Sequence, residues 1–150
     1  IEESVKLLVV VLAVFWRADF DEPVDGLIYG TAAALGFTFA EDLRYFTLFG
    51  ASWARVLTVM AHPWFSCFWA GALGEAKVMR PWKGIPLVLL GLAISAFVHG
   101  LFDFLVKSAH ADPAMSWLTY LFVPLAVILY WAVEHQLEAQ PAVKPRAEGH

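Results

Sequence analysis

Long apolar stretches alternate with short polar breaks along this chain, and five stretches stand out. The first covers Val5 to Trp16, extended backwards by Glu2 and Glu3. The second runs from about Pro23 to Phe49, with Pro23 suited to a first helical turn. The third covers roughly Trp53 to Gly74, the fourth Ile85 to Val106 and the fifth Met115 to Val133. The last four each have about the 20 residues that an α-helix needs to cross a hydrocarbon core. The pattern predicts an all-α, polytopic transmembrane bundle with about five membrane-spanning helices. Residues 1–134 form its core, and 135–150 is a polar tail expected to be disordered. The chain opens on Ile1 and its first stretch is short, so an N-terminally truncated core is expected.

Composition strengthens the membrane reading. The chain is 60% hydrophobic and 16% charged, where a soluble domain is about half apolar and about a quarter charged. Seven Trp and twelve Phe suit bilayer interfaces, which favour aromatic rings. The formal charge of -4 leaves no basic stripe to neutralise phosphates, so no nucleic-acid partner is expected. Cys67 is the single cysteine, which excludes an internal disulfide and a cysteine-held zinc. On helix two, Gly26 and Gly30 make a face of small residues that lets another helix approach closely, and Gly71, Ala72 and Gly74 can do likewise on helix three.

With alternating spans, the chain start lies on one membrane face and the break between stretches one and two on the other. Arg17, Lys77, Arg80, Lys83, Lys144 and Arg146 fall on the second face, against Lys6, Arg44, Arg55 and Lys107 near the first. That bias favours the second face as cytoplasmic. At 1.5 Å per residue, Glu2 and Glu3 lie about 20 Å above that face, His62 about 18 Å and His99 about 21 Å. Glu41 and Asp103 reach about 27 Å. Acids and imidazoles from four helices are therefore expected at one depth.

An ionisable side chain in a bilayer costs roughly 2.5–3.5 kcal/mol and normally faces the bundle interior or a wet cavity. A carboxylate there can act as a general base, and an imidazole can steady a water or a developing oxyanion. His99 and Asp103, four apart, share a helix face that continues to Lys107. Structural readings stand beside these. Asp103 can pair with Lys107, and Glu41 with Arg44. Glu2 and Glu3 can serve a helix dipole, and His62 before Pro63 can mark a kink.

Four pieces, in order, resemble the PrsW family of intramembrane proteases. They are Glu2-Glu3-Ser-Val-Lys6; Glu22-Pro-Val-Asp25-Gly26-Leu-Ile-Tyr29-Gly30 leading to Leu35-Gly36-Phe37 and Glu41; His62; and His99-Gly100-Leu-Phe-Asp103. That family is similar to the CAAX-processing endopeptidases. The resemblance implies Glu2 as the base that activates water with His62 assisting, Glu3 orienting the pocket through Lys6, and His99 and Asp103 on the oxyanion side. Glu41 supports the site, while Glu22 and Asp25 lie near the opposite face and are structural. Asp42 stands where the family usually has Asn, adding an acid to neutralise, and Thr58 stands where the CAAX-type enzymes commonly have Phe.

The implied activity is cleavage of a peptide bond in a membrane-anchored protein, of the site-1 type, for example in an anti-sigma factor. The implied location is the cell membrane, as a multi-pass protein in the lipid bilayer. No cofactor is required in this reading. A zinc-dependent alternative uses His62, His99, Asp103 and a Glu, because two His and a carboxylate are a common catalytic set; the absence of a His-Glu-x-x-His helix weighs against it. Ser66 with His62, or Ser95 with His99, could form a nucleophilic dyad. A proton-coupled transporter could also use such buried acids and imidazoles.

Overall fold

A computed structural model describes residues 1–50, 54–79 and 81–112, and the scattered positions 117, 121, 124, 125, 127, 128, 131, 132 and 135. Among them are four α-helices and no strand: α1 (Glu2–Ala13), α2 (Pro23–Phe49), α3 (Ala54–Val78) and α4 (Pro81–Ala111). The expected fifth helix over Met115–Val133 and the polar tail lie largely outside the described residues.

Local chemistry explains the boundaries. α2 starts at Pro23, and Asp25 Oδ2 accepts from the backbone N–H of Asp21 (2.9 Å) and Glu22 (2.8 Å), holding the chain at the helix entrance. It stops at Gly50, whose φ of 79° favours glycine. α1 ends at Ala13, three residues short of the expected Trp16. Val14 N and Phe15 N both bond to Val10 O, and the chain turns away through Arg17 and Phe20. The apolar run continues past this point because Phe15 and Phe20 pack edge-on under the turn, 5.4 Å apart. Lys77 of α3 closes the turn, its Nζ donating to Phe15 O at 2.6 Å and facing the Phe15 and Phe20 rings at 5.0 and 5.5 Å. α3 runs on through Pro63 to Val78, and α4 extends beyond the expected Ile85–Val106 at both ends.

α3 is central, packed along α2 on one side and α4 on the other, and α1 touches all three. The α2–α3 approach depends on glycine. A Cβ on Gly26 would lie 2.6 Å from the backbone N of Gly74, so any side chain there would push the helices apart. Trp69, Phe65, Leu27, Phe102 and Val10 fill the core.

Polarity runs inside out. Lys6 is 1% exposed and Glu3 2%, while Phe97 is 71% exposed and Phe39 73%. Water-soluble proteins almost never bury charge while baring large aromatic groups, whereas lipid rewards both. Over Lys83–Ala109 α4 is 27 residues long with mean hydropathy 2.2, about 40 Å at helical rise and enough to cross a bilayer. Among the described residues it is the one helix that meets both length and apolarity for a span.

Candidate functional site

The site begins with the register of α1. Glu3 and Lys6, three apart, share the face turned inward onto α3, with Lys6 Nζ 2.6 Å from Glu3 Oε1. On α3, His62, Ser66 and Trp69 follow the i, i+4, i+7 spacing of one helical stripe and meet that face. α4 brings His99 and, one turn on, Asp103.

Glu3 is the hub. Its Oε1 receives Lys6 and the Nδ1 of His99 (2.9 Å), and its Oε2 receives Ser66 Oγ (2.8 Å) and Trp69 Nε1 (2.9 Å). An ionised carboxylate has about four lone-pair sites, and here all four are used. Glu3 is thus a fixed anchor for α1, α3 and α4 with no capacity left for a reacting proton. A carboxylate only accepts, so His99 Nδ1 carries a hydrogen, and in the neutral ring Nε2 then holds the lone pair.

Glu2 differs. Its Oε2 is buried and accepts no hydrogen bond among the described residues, and it lies 3.5 Å from His99 Nε2. Asp103 Oδ1 is 3.9 Å from the same nitrogen. The His62 ring stands perpendicular to that of His99, centroids 5.1 Å apart, and His99 stacks on Phe65 at 4.5 Å. His62 Nδ1 is 2.9 Å from Lys6 Nζ, and its Nε2 is 3.4 Å from Glu41 Oε2.

With His99 neutral, its Nε2 lone pair and Glu2 Oε2 at 3.5 Å repel unless a proton or a metal cation lies between them. Zinc–ligand bonds of roughly 2.0–2.2 Å put two tetrahedral ligands about 3.4 Å apart, so the Glu2–His99 pair fits a divalent metal. Glu2, His62 and His99 each offer a ligand atom within 4.8 Å of the others. His99 also has the carboxylate partner on its other nitrogen that metal-bound histidines usually have.

The residues expected at one depth are therefore brought together: Glu2, Glu3, His62 and His99 adjoin, Lys6 lies between Glu3 and His62, and Asp103 and Glu41 flank the histidines. One expected contact is replaced. Glu41 lies against Arg55 (3.4 Å) and His62 rather than Arg44, and the extra acid Asp42 accepts from Arg55 Nε at 2.6 Å. Asp103 does approach Lys107, but at 4.0 Å with both side chains largely exposed. Neither serine forms a dyad. Ser66 donates to Glu3, and Ser95 Oγ, though buried, has no partner among the described residues. Sequence reasoning missed Ser66 and Trp69 as partners of Glu3, although their spacing from His62 was the available signal. It also missed Arg55, whose partners lie on another helix.

Residues 1–133 match the family model described as PrsW family intramembrane metalloprotease. The chain is similar to Protease PrsW of Bacillus subtilis (strain 168), 29% identical over 134 residues, covering 87% of this chain and 59% of that protein. It is 27% identical over 141 residues to Protease PrsW of Oceanobacillus iheyensis, covering 92% of this chain and 62% of that protein. With Protease PrsW of Geobacillus kaustophilus it shares 27% identity over 150 residues, covering 98% and 64%. The chain thus spans about six-tenths of the length of the curated relatives it matches. No solved structure matches it.

Proposed function

This chain belongs to the PrsW family of intramembrane metalloproteases, and from that premise we propose that it hydrolyses a peptide bond of a membrane-associated protein at the Glu2–His99 centre. The observation that carries the proposal is the approach of Glu2 Oε2, which accepts no hydrogen bond among the described residues, to His99 Nε2 at 3.5 Å. Glu2 and His99 would hold a divalent metal, with the third protein ligand drawn from His62 or Asp103. Such an ion, when bound, polarises the scissile carbonyl and makes water acidic enough to attack at neutral pH.

The chain's own residues do the rest. Glu2 takes the proton of the attacking water on the carboxylate oxygen that the ion would leave free. Glu3 locks His99 in the tautomer that turns Nε2 towards Glu2. Bulky apolar walls from Phe65 and Phe102 limit the water that reaches this space. We read α2 and α3 as spans alongside α4, in a multi-pass protein of the cell membrane, with charges kept to their ends and to the shared site. A single-span protein, such as an anti-sigma factor cut in a site-1-type step, suits a centre at this depth.

A second reading dispenses with the metal and lets Glu2 alone activate water. It is favoured by the Lys6 ammonium beside His62, which repels a nearby cation. One experiment addresses both. The full-length protein in liposomes is given a membrane-anchored reporter, with and without chelator. Glu2→Gln and His99→Gln are expected to abolish cleavage while expression and helix content stay as in the parent. Loss of cleavage with chelator and recovery with zinc supports the metal reading; chelator-insensitive cleavage that still needs Glu2 supports the second. Full activity in Glu2→Gln overturns both.

A further inference from the structure

We propose that Lys6 sets the tautomer of His62, so that the two histidines of the site carry opposite tautomers and His62 serves as a donor, not as a metal ligand. The inference rests on the reading of this cluster as the peptidase centre, but its direct test does not need activity.

The geometry leaves little choice. A lysine ammonium has three donors and no acceptor. Its Nζ lies 2.9 Å from His62 Nδ1, so that nitrogen must present a lone pair. The ring's hydrogen is then on Nε2, which lies 3.4 Å from Glu41 Oε2 without a hydrogen bond between them. Lys6 alone thus selects the tautomer of His62. At His99 the polarity is reversed: Nδ1 faces the carboxylate of Glu3 at 2.9 Å and carries the hydrogen, leaving Nε2 bare.

Lys6 has no freedom to leave. It is 1% exposed, its Nζ is tied to Glu3 Oε1 at 2.6 Å, and it stands over the Phe37 ring at 4.9 Å. The Glu3–Lys6 ion pair therefore writes its two signs onto two imidazoles: the carboxylate onto His99, the ammonium onto His62. A metal-bound histidine usually gives its second N–H to a carboxylate, carbonyl or water. His99 meets that requirement and His62 does not. The third ligand place accordingly falls to Asp103, 3.9 Å from His99 Nε2. His62 brings an Nε2–H beside Glu41, available to a developing oxyanion or a leaving amine. Lys6 is a positioning residue acting through His62.

The test uses the full-length protein in nanodiscs, metal-free, with ¹⁵N-labelled histidine. The His62 resonances are assigned by their loss in His62→Gln. The parent is expected to show His62 with a bare Nδ1 and a protonated Nε2, and His99 with the reverse. Lys6→Met is expected to shift His62 towards protonated Nδ1 while His99 keeps its pattern. A parent His62 already protonated at Nδ1, or unchanged nitrogens in a folded Lys6→Met, overturns the proposal. Because Lys6→Met removes a buried charge and can fail to fold, zinc binding in the parent, His62→Gln and Asp103→Asn provides a second arm. His62→Gln is expected to keep zinc affinity within about threefold, and Asp103→Asn to lose well over the tenfold to hundredfold typical of outer-shell changes. Zinc lost in His62→Gln as fully as in His99→Gln makes His62 a ligand and sinks the proposal. If the parent itself binds no zinc, the metal reading fails, and the nitrogen resonances alone decide the tautomers.

Discussion

Removing the charge from Glu3 tests how the centre is held together. Glu3→Gln leaves the Lys6 ammonium, 1% exposed, facing a neutral amide at a spot where a carboxylate stood 2.6 Å away. Stranding one partner of a buried ion pair costs about 3–5 kcal/mol, because the remaining charge keeps its full desolvation penalty. Lys6→Met leaves Glu3 with Ser66, Trp69 and His99 as donors, so the loss is two hydrogen bonds of Lys6, to Glu3 and to His62, about 1.5–3 kcal/mol for the ion-paired one and about 1 kcal/mol for the other. In the double variant no buried charge is left alone, and the cost is expected near that of Glu3→Gln or below it. The two changes should therefore be non-additive by about 2–3 kcal/mol, the upper range for residues in direct contact. Equilibrium unfolding of the full-length protein in mixed micelles, with chelator present so that metal binding adds nothing, measures all four corners of the cycle. Additivity within about 0.5 kcal/mol would show that the two side chains do not depend on each other, and the account of Glu3 as hub would fail.

Other variants separate packing from chemistry. Gly26→Ala is expected to lose about 1–3 kcal/mol in the same unfolding assay, because its methyl meets the backbone of Gly74; a neutral result would mean that α2 and α3 are not so close. Ser66→Ala removes one hydrogen bond to Glu3 and should cost about 1.5–3 kcal/mol yet leave measurable cleavage, whereas a nucleophilic serine would leave none. Arg55→Ala frees Glu41 and Asp42 near the helix ends. Its part-exposed pairing predicts a stability change of about 1 kcal/mol or less, with cleavage falling on the order of tenfold as Glu41 loses its orientation behind His62. Equal losses in both readouts would point to simple unfolding.

Much of this was legible in the order of residues, for identifiable reasons. α2 matches its expected bounds because Pro23 and Gly50 are local signals that need no partner. α1 was read too long because its apolar run passes through Phe15 into a turn held by Lys77, a contact 62 residues away. The convergence of acids and imidazoles could be measured from helix rise alone, since depth is a one-dimensional property. Rotation was not available in the same way. Glu2 and Glu3 are adjacent and alike in composition, and only packing against Ser66 and Trp69 shows which of them is spent on holding the bundle. Glu41 and Arg44 looked like partners by spacing, but Arg55 reaches Glu41 across the α2–α3 hairpin. Periodicity finds the face of a helix; the identity of the neighbour belongs to the tertiary fold.

The lysine that closes the first turn has a consequence at a distance. α1 is only 12 residues long, and the turn just beyond its end presents the carbonyls of Phe15 and Arg17. Lys77 supplies a donor to that end from the same helix that presents His62, about 22 Å higher at helical rise. The elevation of the two glutamates against the histidine is thus pegged at the foot of the bundle as well as at the hydrogen-bonded top. A substitution at Lys77, touching none of the reacting groups, would let the short helix slide and mismatch the whole centre.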